Sequence, residues 1–119
     1  VSRIQAALGP MAVDLAGLSL RKTAGVMSFL DAYVGVDTGP THIMGCFDIP
    51  LVALYHCKLP HRCYGAQDHP YDYFVEHPRL GGLCDETTPM GELGVDAVFA
   101  RLLEALDAPA ALRSDDGKR

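Results

Sequence analysis

The stretch Tyr33-Val34-Gly35-Val36-Asp37-Thr38-Gly39-Pro40-Thr41-His42 decides the fold. A short apolar run ends on an acid, turns through Thr-Gly-Pro, and opens a segment with a histidine in its first turn. That is the pattern of a buried strand of a parallel sheet feeding a helix. Pro40 suits the first helical position, where its missing N–H would go unpaired anyway. The spacing predicts a strand over 33–36 and a short helix from Pro40 to Phe47, stopped by Asp48-Ile49-Pro50.

Working outward, Leu51 to Tyr55 is a second continuous apolar run, expected as a strand covered on both faces. Ser19 is a good N-cap, and Leu20, Ala24, Met27 and Leu30 recur after it at helical spacing. Val1 to Leu8 reads as a helix end stopped by Gly9-Pro10, and Met11 to Leu15 as a short strand closed by Gly17. From His56 to Pro89 the periodicity dissolves into loop, with one candidate strand over Tyr71 to Glu76. Order returns at Gly94, where Val95, Val98, Phe99, Leu102 and Leu106 share a helical face. Strands alternating with helices at this spacing imply right-handed βαβ crossovers and a parallel sheet, an α/β Rossmann-like fold with flanking helices. We expect a single partial domain over residues 1–106 and a frayed tail over 107–119.

The chain has 119 residues, room for one domain, and 49% are hydrophobic, which excludes wholesale disorder. The formal charge of −5 and the lack of a basic stripe argue against a nucleic-acid partner. A phosphate-bearing ligand must therefore be held by backbone donors and a few local groups. No apolar run is long enough to span a membrane and no leader pattern is present, so we expect a cytoplasmic protein. The valine start points to a fragment or a processed chain. Cys46, Cys57, Cys63 and Cys84 are expected as free thiols of a reducing compartment, with Cys46 a small core residue.

Three groups of residues carry candidate chemistry. Residues just past the carboxyl end of a strand line the ligand crevice of an open α/β sheet, which puts Asp37 to His42 there. Gly39 lets a ligand approach the backbone, the N–H groups of Gly39, Thr41 and His42 are expected free, and the Thr38 and Thr41 hydroxyls add donors. Asp37 would accept from sugar hydroxyls and His42 would donate to a phosphate or leaving group. The alternative is a capped helix with a surface histidine. The second group, His56, Cys57, His61 and Cys63, falls within eight positions and invites a metal reading, but lacks the paired spacing of a zinc knuckle. The third, the aromatic-histidine stretch from Tyr64 to His77, suits either base stacking or packing of a loop onto the sheet.

The runs Val13-Asp14-Leu15-Ala16-Gly17-Leu18-Ser19-Leu20-Arg21, Val34 to His42, and Ile49-Pro50-Leu51-Val52-Ala53-Leu54-Tyr55, in this order, resemble the C-terminal half of glycosyltransferase family 9, the lipopolysaccharide heptosyltransferases. Met90 to Val98 resembles the start of that family's terminal helix. The resemblance covers most of residues 12–106. It implies the nucleotide-sugar-binding half of a GT-B fold in a bacterial glycosyltransferase of lipopolysaccharide biosynthesis. Thr38, Gly39, Pro40, Thr41 and His42 would hold the diphosphate of an ADP-heptose-like donor, Asp37 would touch its sugar, and Leu18 would lie at the adenine pocket. It further implies metal-independent inverting transfer to a glycan or lipid-linked glycan acceptor, with no cofactor, no bound metal, and His42 stabilising the leaving group. The family's general base lies on the other domain and is not on this chain. After the second strand, His56-Cys57-Lys58-Leu59-Pro60 departs from the family's usual loop beside the donor. A location in the cytoplasm, peripheral to the inner face of the inner membrane, follows from the same resemblance. A half-enzyme with an exposed cleft face and missing sheet neighbours is expected either to form a homodimer through that face or to be marginally stable. The rival reading is a non-catalytic nucleotide- or sugar-binding module, or a degenerate partner subunit, with the His56/Cys57/His61/Cys63 metal loop as a further alternative.

Overall fold

The computed structural model describes residues 1–107. The expected frayed tail falls, apart from Asp107, outside the described residues. The elements run α1 (Ser2–Leu8), α2 (Leu20–Met27), β1 (Tyr33–Val36), α3 (Gly39–Met44), β2 (Leu51–Tyr55), α4 (His61–Tyr64), β3 (Asp72–Glu76) and α5 (Val95–Leu106), with short 3₁₀ turns over Gly9–Met11 and Met90–Glu92. The three strands form one parallel sheet in the order β1-β2-β3. Tyr33 stands beside Leu51, and Leu51 beside Asp72, so all three strands begin level and end at one edge.

β2 is the centre of the molecule. Its alternating side chains feed two separate cores, as a strand covered on both faces must. Leu51, Ala53 and Tyr55 pack with Met27 of α2 and Met44 of α3 on one face. Val52 meets Val75 of β3 and Ala105 of α5 on the other, with Leu54, Tyr73, Val98 and Leu102 around them. Tyr55, Met44, Leu51 and Val52 are fully enclosed. At about 1.5–3 kcal/mol for each large buried apolar side chain, these four dominate the stabilisation of the sheet.

The α2 cap forms as expected, Ser19 Oγ accepting from the Lys22 N–H at 3.5 Å. Three expectations fail for identifiable reasons. Met11 to Leu15 is not a strand: Asp14 Oδ1 accepts the Ala16 N–H at 2.8 Å, which turns the chain, and Val13 and Leu15 remain exposed. Leu20 is exposed although Met27, on the same predicted stripe, is buried. In α5 the buried residue is Ala105, while Val95 and Phe99 look onto an open apolar groove that they share with Val34, Val36 and Leu54. The face of the sheet beside β1 is thus only partly covered. α3 also ends three residues early, at Met44, in a series of backbone turns through Phe47.

The region read as loop has a construction of its own. Three of its histidines are bound in one pattern. In His56, His69 and His77, Nδ1 accepts the backbone N–H two residues on (Lys58, Tyr71 and Arg79, at 3.2, 3.1 and 3.1 Å). The Nε2–H of each reaches a distant carbonyl: Thr88 at 2.8 Å, Phe47 at 2.8 Å and Pro89 at 3.2 Å. Each ring both makes a turn and clasps another segment, and the paired bonds fix the Nε2–H tautomer. The stretch from Tyr64 to His77 is therefore packed loop as far as Tyr71 and then the edge strand β3.

Candidate functional site

The carboxyl ends of β1 and β2 and the segment after β3 meet at one edge of the sheet. The Asp37 N–H donates to Leu54 O at 3.1 Å and the His77 N–H to Tyr55 O at 3.1 Å, which carries the ladder one residue past β1 and β3. This is the edge at which open α/β sheets bind ligands.

The junction after β1 is set by an aromatic lying over a glycine. Tyr33 and Gly35 project to the same face, and a β-carbon at Gly35 would strike the Tyr33 ring. The missing side chain lets the ring lie along the strand and place its hydroxyl 3.1 Å from Thr41 Oγ1. Thr41, only 3% exposed, also bonds Val36 O at 2.5 Å. A hydroxyl has one proton, so Thr41 donates to Val36 and accepts from Tyr33. Thr38 stays extended and its hydroxyl donates to Val36 O at 3.3 Å. The first turn of α3 is thereby tied to the end of β1. Sequence reading passed over Tyr33 and Gly35; an aromatic two residues before a strand glycine was the available signal.

Asp37 and His42 face one another across this turn, with His42 Nε2 3.1 Å from Asp37 Oδ1. The contact has ion-pair distance but not hydrogen-bond alignment, so Asp37 Oδ1 is buried without a hydrogen-bond partner among the described residues. The Asp37 side chain is 8% exposed and that of His42 57%. Of the three N–H groups expected free, that of His42 is taken by Thr38 O at 3.2 Å, which leaves Gly39 and Thr41 as the backbone donors. α3 has six residues, so its dipole is small and these N–H groups matter more than the helix as a whole. Leu18 lies apart from this hydrogen-bonded group, in the turn before α2, where its N–H donates to Leu15 O.

Beneath the junction lies a second polar group. His61 stacks on Phe74 at 3.7 Å between ring centres and its Nε2 meets Asp72 Oδ2 at 2.5 Å. Its backbone N–H donates to Glu76 Oε1 at 3.1 Å. Tyr55 packs edge-on to His61, and its phenol is pushed up to about 12, first by burial and then by the Asp72 and Asp37 carboxylates. Asp72 Oδ1, like Asp37 Oδ1, is buried without a hydrogen-bond partner among the described residues.

The alternative metal loop of His56, Cys57, His61 and Cys63 is not assembled. His61 is committed to Asp72, Cys63 is an exposed free thiol, and Cys57 forms a disulfide with Cys84, 27 residues away, at a Cα–Cα distance of 6.1 Å. The expectation of four free thiols is corrected with it, and Cys46 is exposed rather than part of the core. The pairing was hidden because β3 lies between the two cysteines and brings the chain back beside the end of β2. His56 sits against this disulfide, both ring nitrogens 3.9 Å from Cys57 Sγ. Next to it a cavity of about 550 Å³ is lined by His56, Lys58, Leu59 and Glu86. Next to Glu86 in the chain, the Asp85 carboxyl is held below its usual range by hydrogen bonds from Thr87 and Thr88.

No helix among the described residues is long and apolar enough to cross a membrane. Comparison with curated proteins and with solved structures gave no match. Residues 1–72 match the model of glycosyltransferase family 9 (heptosyltransferase), a span holding the junction, β1, α3, β2 and α4 and ending at the first residue of β3. The Met90–Val98 segment, expected from the sequence to start the family's terminal helix, lies beyond the matched span. With its motif order, parallel sheet and strand-end junction, the chain belongs to glycosyltransferase family 9.

Proposed function

We propose that this is the donor-binding domain of a glycosyltransferase that moves a sugar from a nucleotide sugar, ADP-heptose-like, to a lipopolysaccharide-type or other glycan acceptor. The observation that carries the reading is Asp37: a buried carboxylate oxygen without a hydrogen-bond donor, beside an exposed histidine, at the ligand edge of the sheet. A sugar hydroxyl would supply the donor that Asp37 lacks. The N–H groups of Gly39 and Thr41, with His42, would face the diphosphate, and Leu18 the base. In the transfer, charge develops on the departing diphosphate, and preorganised donors directed at it lower the barrier without a metal. The proton of the acceptor hydroxyl would go to a base on the opposing domain. The setting we infer is the cytoplasm or its membrane surface. The apolar face holding Val34, Val36 and Phe99 would pair two copies, which light scattering tests directly.

Calorimetric titration of the full-length protein with ADP and ADP-sugars tests the donor reading. Asp37→Ala and His42→Ala should each weaken ADP-sugar binding at least about tenfold, the equivalent of a lost charge-assisted hydrogen bond. Asp37→Ala should weaken ADP itself much less. Absence of binding, or affinities unchanged in both variants, would end the proposal.

A further inference from the structure

We infer that Cys57, Cys84 and His56 form a thiol-gated binding site for a soft divalent metal, zinc above all, which is filled when the disulfide is reduced. One sulfur of each cysteine and one ring nitrogen of His56 all lie within 4.8 Å of one another, drawn from two segments that β3 separates. Around a tetrahedral zinc, with Zn–S about 2.3 Å and Zn–N about 2.0 Å, neighbouring ligand atoms stand roughly 3.5–3.8 Å apart. Cys57 Sγ stands 3.9 Å from both ring nitrogens of His56, close to this separation already, and has to swing only toward the Nδ1 side to share a metal with its lone pair. The sulfurs must separate from bonding distance, a rotation of two side chains once the S–S bond is gone.

The histidine is prepared for the role. Its Nε2–H is held by Thr88 O at 2.8 Å, which leaves the lone pair on Nδ1. A metal-ligating histidine ordinarily donates its other ring N–H to a carbonyl in this way, which fixes the tautomer and the ring plane. In the disulfide form the Nδ1 lone pair accepts the Lys58 N–H at 3.2 Å, an exposed bond that water can replace. The fourth position would be taken by water or by Glu86 from the adjoining cavity, which His56 also lines. Cys84 lies outside residues 1–72, the part matched to the family.

The exchange balances. Two equivalents of a small thiol convert the disulfide to Cys57 and Cys84 thiols and leave as their own disulfide. Zinc then binds both sulfurs as thiolates and releases two protons to solvent. In either state the segment carrying Cys84 stays fastened to the loop after β2, by a covalent bond when oxidised and by the metal when reduced. The inference is independent of the donor reading and gives the ion no part in the transfer.

The test uses the full-length protein, reduced anaerobically with a phosphine, freed of reductant, and titrated with Zn²⁺ against a chromogenic chelator and with Co²⁺ alone. The reduced protein should bind one zinc per chain, and cobalt should give intense sulfur-to-metal charge-transfer absorption with tetrahedral ligand-field bands. The oxidised protein should do neither, a comparison that needs no variant. Cys84→Ser should lower zinc affinity at least about 100-fold and abolish the charge-transfer band, while Cys46→Ser and Cys63→Ser leave both unchanged. A reduced protein that binds no stoichiometric zinc, a band that survives Cys84→Ser, or a disulfide that resists the phosphine in the native protein would each overturn the inference.

Discussion

Replacing His77 with phenylalanine should destabilise the protein by about 2 kcal/mol. His77 is 2% exposed, and both ring nitrogens are in use: Nδ1 accepts the Arg79 N–H and Nε2–H donates to Pro89 O. Phenylalanine preserves the ring and most of its volume, so the cavity contribution is small and the change isolates the two hydrogen bonds. Each contributes about 1 kcal/mol net. Pro89 is exposed, so its carbonyl can turn to water and adds no further penalty. With a urea slope of about 1–2 kcal/mol/M, the midpoint should fall by about 1–2 M. His77→Asn supplies the internal control, because an asparagine side chain can accept the N–H two residues on and make the same turn. It should recover about half the loss, since it cannot span to Pro89. Limited proteolysis adds a local readout: both variants should be cut faster within 78–89, and the phenylalanine variant faster of the two. A phenylalanine variant within about 0.5 kcal/mol of wild type, or an asparagine variant no better than phenylalanine, would refute the two-bond account.

Two further predictions concern the sheet and its junction. Gly35→Ala should lift the Tyr33 ring off the strand and break its contact with Thr41, costing about 1–3 kcal/mol by overpacking. Because Thr41→Val removes the partner of the same contact, a double-mutant cycle should show the two changes adding to less than their sum. Stability should also fall as pH rises from about 10 to about 12. The unfolded tyrosine loses its proton near 10, whereas Tyr55 in the fold is held up to about 12, so the neutral phenol is what folding favours. That contribution is complete below 10 and lost through the window above it. Tyr55→Phe should flatten the slope measured by denaturation at pH 9, 10.5 and 12, and an unchanged slope would remove the buried phenol from the account.

β1 and β2 were legible to the residue because each is an unbroken apolar run between clear stops, and the α2 cap was legible because Ser19 acts locally. The Met11–Leu15 strand was misread because a strand needs a partner as well as a pattern, and Asp14 supplied a turn instead. The face of α5 was legible in Val98 and Leu102, which pack toward Val52 and Val75, but not in Val95 and Phe99, because periodicity tells which side chains align, not where the sheet ends beneath them. At the site, Asp37 and His42 were placed by their position after a strand. Tyr33, Gly35 and the Cys57–Cys84 pair were not, since the first two act through a ring lying over a glycine and the last through the return of β3. The histidine clasps left no periodic trace at all, because half of each is a contact to a carbonyl 12 to 32 residues away.

Those clasps also determine how the chain is returned to the sheet. His56, just after β2, and His77, just after β3, hold the adjacent carbonyls of Thr88 and Pro89. The segment that leads into α5 is therefore hung from the carboxyl ends of two neighbouring strands, so the last helix is aimed by the same edge of the sheet that carries the junction.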